Sequence, residues 1–385
     1  QATLIEGFDD SWDLIDPHTG VVKKTVSAKT LWVKLIQNRV ETGEPYIMFR
    51  DTVQNALPQF QKDLGLKVHH SNLCSEITLA TSDDRTAVCC LSSVNLEEYD
   101  EWCENDQFIP DLVRMLDNVL EYFIENAPPE LWRAVNSARN ERSIGLGAMG
   151  FHAYLQRQDI PFESMWATST NHKMFKRIKS EATRATKQLA TERGECPDGI
   201  GSGVRNTHLL AVAPNASSSI ICGNTSPSIE PYRANAFTQK TKSGSSLLKN
   251  EYLEHALQEI EMDTDEVWSS IMTSGGSVQH LEFLDDHTKE VFRTGVEIDQ
   301  KWVIQHAADR QQYICQSQSL NVFFPANVSK QELHAIHMSA WKKKVKTLYY
   351  LRSEAMKRAE NVSDEALRQY VLDSVDENEC LACEG

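Results

Sequence analysis

The sequence predicts an α/β fold with a mainly parallel sheet or barrel, on two observations. Amphipathic helical patterns recur along the chain, and short apolar or β-branched runs lie between several of them. No internal repeat or low-complexity linker breaks this alternation. With 385 residues, 41% of them hydrophobic and 24% charged, the chain can bury one large core or two ordinary ones.

In chain order, helical patterns fall near 28–42, 110–126, 171–193, 247–260, 298–313 and 330–343. The clearest is PDLVRMLDNVLEYFIEN (110–126), which predicts a core-facing stripe of Leu112, Met115, Leu116, Val119, Leu120, Phe123 and Ile124, ended by Pro128 and Pro129. Gly194 stops the pattern over 171–193. The runs HLLAVA (208–213), SLNVFF (319–324) and KTLYYL (346–351) read as buried strands. The terminal DSVDENECLACEG is acidic and poor in apolar groups, which predicts a mobile tail over 371–385 after a folded unit spanning 1–370.

Charge and cysteine usage exclude several classes. Lys and Arg number 39 against 55 Asp and Glu, a formal charge of −16, so general affinity for nucleic acid is not expected and a small anionic substrate needs a local site. No stretch approaches the roughly 18 to 20 apolar residues of a membrane span, and QATLIEGFDD carries neither a basic flank nor an apolar signal core. Cytoplasmic localisation without a membrane partner is the expectation. Nine cysteines, an odd number, suit reduced thiols better than a disulfide framework. The first residue is Gln, so the chain is expected to begin inside a longer product, or after processing or trimming.

Four segments could carry chemistry. In Ser71-Asn72-Leu73-Cys74-Ser75-Glu76-Ile77, an extended backbone would send Asn72, Cys74 and Glu76 to one face and let Leu73 and Ile77 anchor the other. Taken alone, Cys74 could equally be a small buried hydrophobe. APNASSSI (213–220) is a turn of small polar residues opening into an apolar segment, which suits either an ordinary helix cap or an anion site at a helix N-terminus. Tyr349 and Tyr350 would ordinarily be two aromatics on a strand. Cys380-Leu381-Ala382-Cys383 has the spacing of a redox dithiol or half a zinc site; with no second CxxC or nearby His pair, zinc is disfavoured and no metal is assigned. His69, His70, His334 and His337 have no spacing that compels a metal site. ERSIGLGAMGFH (141–152) does not fit a nucleotide fingerprint and reads as a tight backbone approach in the core.

Taken together, NLCSEI, CCLSSVNL (89–96), ERSIGLGAMGFH, APNASSSIICGNTSPSIEP (213–231), TLYYLR (347–352) and the terminal CLAC resemble, in order and approximate spacing, the large catalytic subunit of class I (aerobic) ribonucleotide reductases. The resemblance implies the C-terminal half of a ten-stranded α/β barrel with a central finger loop carrying the radical cysteine. It implies that Cys74 becomes a thiyl radical that abstracts the ribose 3′-hydrogen, that Glu76 is the general base for the 3′-hydroxyl, and that Asn72 holds the ribose hydroxyls, with Ser71 beside it. Cys89 matches one member of the reducing thiol pair, whereas Cys90 points the opposite way if the segment is extended and reads as structural.

By the same resemblance Asn215, Ala216, Ser217 and Ser218 cradle the substrate diphosphate. An oxidising equivalent enters at Tyr350, passes to Tyr349 and ends at Cys74. Cys380 and Cys383 reduce the active-site disulfide and are themselves reduced by thioredoxin or glutaredoxin. No cofactor is expected on this chain; the radical is supplied by a di-iron tyrosyl-radical small subunit. Family members run to about twice this length, and the thiol that pairs with Cys89 normally comes from their first half. The expectation is therefore reduction of ribonucleoside diphosphates in a complex with an N-terminal large-subunit fragment and the small subunit, or else a truncated piece. Two other readings stay open: a non-catalytic fragment that keeps subunit-binding surfaces, and a simple CxxC thiol-disulfide oxidoreductase.

Overall fold

The computed structural model describes residues 11–241 and 244–353. Its organising feature is a strip of mainly parallel strands. Leu91–Asn95 pairs in parallel with Gly145–Met149. Leu146 then bridges Leu210, and Val212 bridges Gln318, both in parallel. Tyr349 N donates to Leu320 O at 2.8 Å, and Val322–Phe324 pairs in parallel with Leu351–Ser353. The far edge is Ile47–Met48, antiparallel to Thr347–Leu348.

The α/β class is as the alternation predicted. Among the described residues the strip stays open, and no closed ten-stranded barrel is formed. Two predicted strands are less regular than expected. Residues 208–213 contribute only isolated bridges, because the N–H groups of Leu209 and Leu210 turn to the sulfur of Cys315. Residues 346–351 split into two short strands on either side of Tyr349 and Tyr350.

Close strand approach depends on the glycines of 141–152. A Cβ on Gly147 would lie 2.5 Å from the carbonyl oxygen of Ala211, so only glycine lets these neighbours sit at ladder distance. Gly150 takes φ +82° and turns the chain from strand into the helix Phe151–Arg157.

Helices cover the strip. Ala28–Thr42 is capped by Ser27 and ends at Gly43 in the left-handed region. Met165–Arg193 begins six residues before the predicted start, capped by Ser164, and ends at Gly194 as expected. Gln300–Gln311 and Lys330–Lys342 match their predicted patterns, while the pattern over 247–260 resolves into the helix Glu251–Glu259 behind a strand, Gly244–Lys249.

The helix Phe108–Asn126 corrects the predicted stripe. Its buried face is Ile109, Pro110, Val113, Leu116, Asp117 and Leu120. Met115 and Val119 are exposed, and Leu112, Phe123 and Ile124 are only partly buried. The face rotates because Asp117 is drawn inward: Arg142 Nε and Arg193 Nη1 each lie 2.8 Å from its carboxylate. Burial alone would raise the Asp117 pKa, but Arg142, Arg205 and Arg193 outweigh it and hold it below the usual carboxylate range.

One large apolar core lies between the strip and its helices, and a smaller one, including Leu253, Leu257, Trp268, Ile271 and Val291, forms within 236–292. No described helix is long and apolar enough to cross a membrane.

Candidate functional site

Residues 71–77 are not extended. Ser75 N donates to Asn72 O at 3.1 Å, Asn72 N to Ile77 O at 3.3 Å, and Ile77 N to Asn72 Oδ1 at 3.1 Å. Ser75 takes φ 69°. The segment is thus a tight turn closed by the side chain of Asn72, with Leu73 and Cys74 at its centre. The expected alternation fails accordingly: Leu73 is 64% exposed, and Ile77 alone is anchored, at 4%. Asn72, Cys74 and Glu76 still share one neighbourhood, by way of the turn rather than the pleat.

Beyond the turn, residues 75–80 are buried without regular structure, lying against the strands. Ser317 N donates to Glu76 O at 2.9 Å, and Thr78 N to Gln316 Oε1 at 3.3 Å. Ser319 Oγ sits between two acceptors, 2.5 Å from Cys74 O and 3.1 Å from Glu76 Oε2. A single hydroxyl proton cannot serve both. Burial of Glu76 raises its pKa against the hydrogen bonds of Asn72 and Ser319, so this carboxyl accepts a proton more readily than an exposed one.

Cys89 lies near the same carboxylate. Cys89 is exposed as a residue, yet the atoms packed around its sulfur, then the neighbouring Glu76, Cys90 and Cys74, push its thiol up to about 12. Cys90 is buried, with its thiol 3.5 Å from Leu116 O, in keeping with a structural part. Neither Cys74 nor Cys89 is in a disulfide.

The tyrosines complete the cluster. Tyr349 Oη lies 3.9 Å from Cys74 Sγ. The rings of Tyr349 and Tyr350 are 4.4 Å apart between centroids. Arg39 donates to Tyr349 O at 3.0 Å, and Tyr350 N donates to Asn321 Oδ1 at 3.0 Å. Burial, followed by Cys74, raises the Tyr349 phenol above its ordinary value.

A third tyrosine, missed from the sequence, joins them: the Tyr46 ring lies 4.5 Å from Tyr349 and 4.9 Å from Tyr350. Its hydroxyl donates to Glu44 Oε1 at 3.1 Å. The Arg352 guanidinium sits 4.0 Å from the Tyr350 ring centroid. Ser319 was missed as well. No local pattern marks Tyr46; only the pairing of Ile47–Met48 with Thr347–Leu348 brings it to the dyad.

The predicted anion loop stands on the neighbouring strands. Asn215 takes φ 55° ahead of the short helix Ala216–Ile221 and makes no side-chain cap, which departs from the ordinary cap reading. Its Oδ1 instead accepts from Ser93 Oγ at 3.3 Å, tying the loop to the strand that follows Cys89. Ser217 and Ser218 are exposed, and Ala216 is half-buried. Ser71 Oγ donates to Asn72 O at 3.1 Å and so braces the turn. Cys380 and Cys383 lie outside the described residues. Among the described residues no three His, Cys, Asp or Glu side chains come together to hold a metal.

The family profile described as ribonucleotide reductase, barrel domain, matches residues 3–199 and 198–351. The large subunit of ribonucleoside-diphosphate reductase from Invertebrate iridescent virus 3 is 50% identical over all of this chain and 61% of the relative. A putative large subunit from Frog virus 3 (isolate Goorha) is 49% identical over 98% of the chain and 66% of the relative. Among solved structures, the Actinobacillus ureae class Id ribonucleotide reductase alpha subunit superposes with a TM-score of 0.80 at 42% identity, over 85% of this chain and 61% of that one. The chain thus spans about three fifths of the length of these relatives.

Proposed function

Since the chain belongs to the ribonucleotide reductase large-subunit family, we propose that its turn, thiols and tyrosines reduce ribonucleoside diphosphates to deoxyribonucleoside diphosphates. The observation that carries this reading is the placement of the Tyr349 hydroxyl 3.9 Å from Cys74 Sγ, with the tilted ring of Tyr350 4.4 Å from that of Tyr349 and Glu76 on the same turn. A raised phenol keeps its proton at rest, so oxidation of Tyr349 moves a hydrogen rather than an electron alone. The path Tyr350 to Tyr349 to Cys74 leaves a sulfur-centred radical on a half-buried turn.

That sulfur takes the ribose 3′-hydrogen while Glu76, ionised, takes the 3′-hydroxyl proton. Asn72 holds the ribose hydroxyls. The 2′-hydroxyl departs as water, and two electrons come from Cys89 and a second thiol; Cys74 then returns its hydrogen to C3′. A protonated Cys89 suits this step, because the thiol must deliver hydrogen as well as electrons. The first turn of Ala216–Ile221, with Ser217 and Ser218 open to approach, cradles the diphosphate beside Asn215.

The oxidising equivalent is supplied by a separate small subunit carrying a di-iron tyrosyl radical, and thioredoxin or glutaredoxin recharges the thiols through Cys380 and Cys383. The working unit includes a further large-subunit segment that completes the barrel around the loop 71–80. The test is CDP reduction by the Cys74→Ser variant in the complete complex. Loss of all dCDP is expected, and product formation by that variant would overturn the reading.

A further inference from the structure

At the start of the strands that lead to Ser319 and Tyr349 lies another thiol, built into a polar site of its own. The N–H groups of Leu209 and Leu210 point at Cys315 Sγ, at 3.0 and 3.2 Å. His208, 1% exposed, stands against the same sulfur; its Nε2 pairs with Gln61 Oε1 at 2.9 Å, and its buried Nδ1 has no oxygen or nitrogen partner. Lys346 Nζ donates to the carbonyls of Ile314, Cys315 and Gln316 at 3.1, 2.6 and 2.6 Å, which fixes its charge beside the thiol. Lys179, from the helix Met165–Arg193, adds a second positive charge.

No such set surrounds the other buried cysteines: Cys90 and Cys196 are both pushed up to about 11 by burial. For Cys315 burial acts in the same direction, but Lys179, His208 and the Leu210 amide outweigh it and hold the thiol well below its ordinary value. The residue as a whole is partly exposed.

We propose that Cys315 is a resident thiolate and the chain's modification site for small peroxides, chemically separate from the reductive thiols Cys74 and Cys89. The sulfur attacks one peroxide oxygen; an S–O bond forms as the O–O bond breaks, and the departing hydroxide takes a proton from the Lys346 ammonium, which solvent restores. Sulfur is oxidised by two electrons to the sulfenic acid and peroxide is reduced to water. The added oxygen competes with the sulfur for the N–H groups of Leu209 and Leu210, at the start of the strands that place Ser319 against Cys74 and Tyr349 against its sulfur.

The test treats the reduced full-length chain with limiting hydrogen peroxide at neutral pH, traps sulfenic acid with dimedone and reads each cysteine peptide by mass spectrometry. Alongside it, the pH dependence of iodoacetamide labelling is followed at Cys315, Cys90 and Cys196. Dimedone on Cys315 ahead of Cys90 and Cys196 is expected, with Cys315 labelling already at its plateau at neutral pH. An ordinary thiol with pKa near 8.5 is only a few per cent ionised there, so the excess of thiolate is roughly thirtyfold. Adducts elsewhere but none at Cys315, or Cys315 labelling that rises only through the ordinary thiol range, would sink the proposal. Both readouts use the unmodified chain, so neither depends on a variant that folds, and neither requires reductase turnover.

Discussion

Cys89 and Cys315 belong to the same strip of strands and are tuned in opposite directions. Cys89 is crowded by protein atoms and by groups that are negative when ionised, Glu76, Cys90 and Cys74, and its thiol is pushed up to about 12. Cys315 is more deeply enclosed, yet Lys179, the His208 imidazole and the Leu210 N–H reverse the effect. Burial therefore does not decide what a cysteine does; the donors aimed at its sulfur do. A sulfur that keeps its proton can hand over hydrogen, and one that has lost it can only attack or accept. The chain holds both at the starts of strands of one strip, with Gly145–Met149 and residues 208–213 between them.

The predictions are ways to break that contrast. The largest effect is expected at the reductive end, where Cys74→Ser abolishes CDP reduction while leaving dimedone labelling of Cys315 unchanged. Glu76→Gln should lower kcat by about 10²- to 10⁴-fold, the usual worth of a positioned general base, with substrate binding measured by equilibrium dialysis little changed. The base acts as a carboxylate and its pKa is raised, so activity falls as pH drops through a value above the ordinary 4.5. A kcat/KM profile flat down to that ordinary value would remove Glu76 from the role.

Tyr46→Phe keeps the ring contacts with Tyr349 and Tyr350 and deletes one hydroxyl. It should slow turnover by about threefold to tenfold, the worth of one hydrogen bond, in a single-turnover assay. The smallest effect on chemistry is expected from Cys315→Ser, which should instead cost about 1–3 kcal/mol of stability in urea unfolding, as an ionised hydrogen-bond acceptor is lost. The sign with pH follows from a thiol whose folded pKa lies below its unfolded one. Its stabilisation is fully present above the unfolded value and fades as pH falls through the folded value, so the gap between wild type and variant should be wider near pH 9 than near pH 6. A gap that narrows toward alkaline pH would mean that Cys315 is an ordinary protonated thiol.

How much of this was legible depended on whether the signal was local. The helices Ala28–Thr42 and Lys330–Lys342 follow from periodicity and from caps at Ser27 and Ser329 that lie within a few residues of what they cap. The identities of Asn72, Cys74 and Glu76 could be read, but not their geometry, because the Asn72 amide closes a turn where alternation alone predicts a strand. The face of Phe108–Asn126 was misjudged since apolar spacing cannot foresee that Arg142 and Arg193 draw Asp117 inward. Tyr46 and Cys315 were invisible for a plainer reason: each acquires its role from residues more than a hundred positions away.

The same long reach has a consequence for biosynthesis. Cys74 and Tyr349 are separated by 275 positions, and Ile47 waits for Leu348 to pair. At about 5–20 residues per second, a ribosome needs tens of seconds to bridge that interval. A nascent chain therefore carries Cys74 long before it carries Tyr349, and the two can meet only after that interval has been made. On the proposed reading, the order in which the parts are made keeps the sulfur and the phenol apart in an unfinished protein.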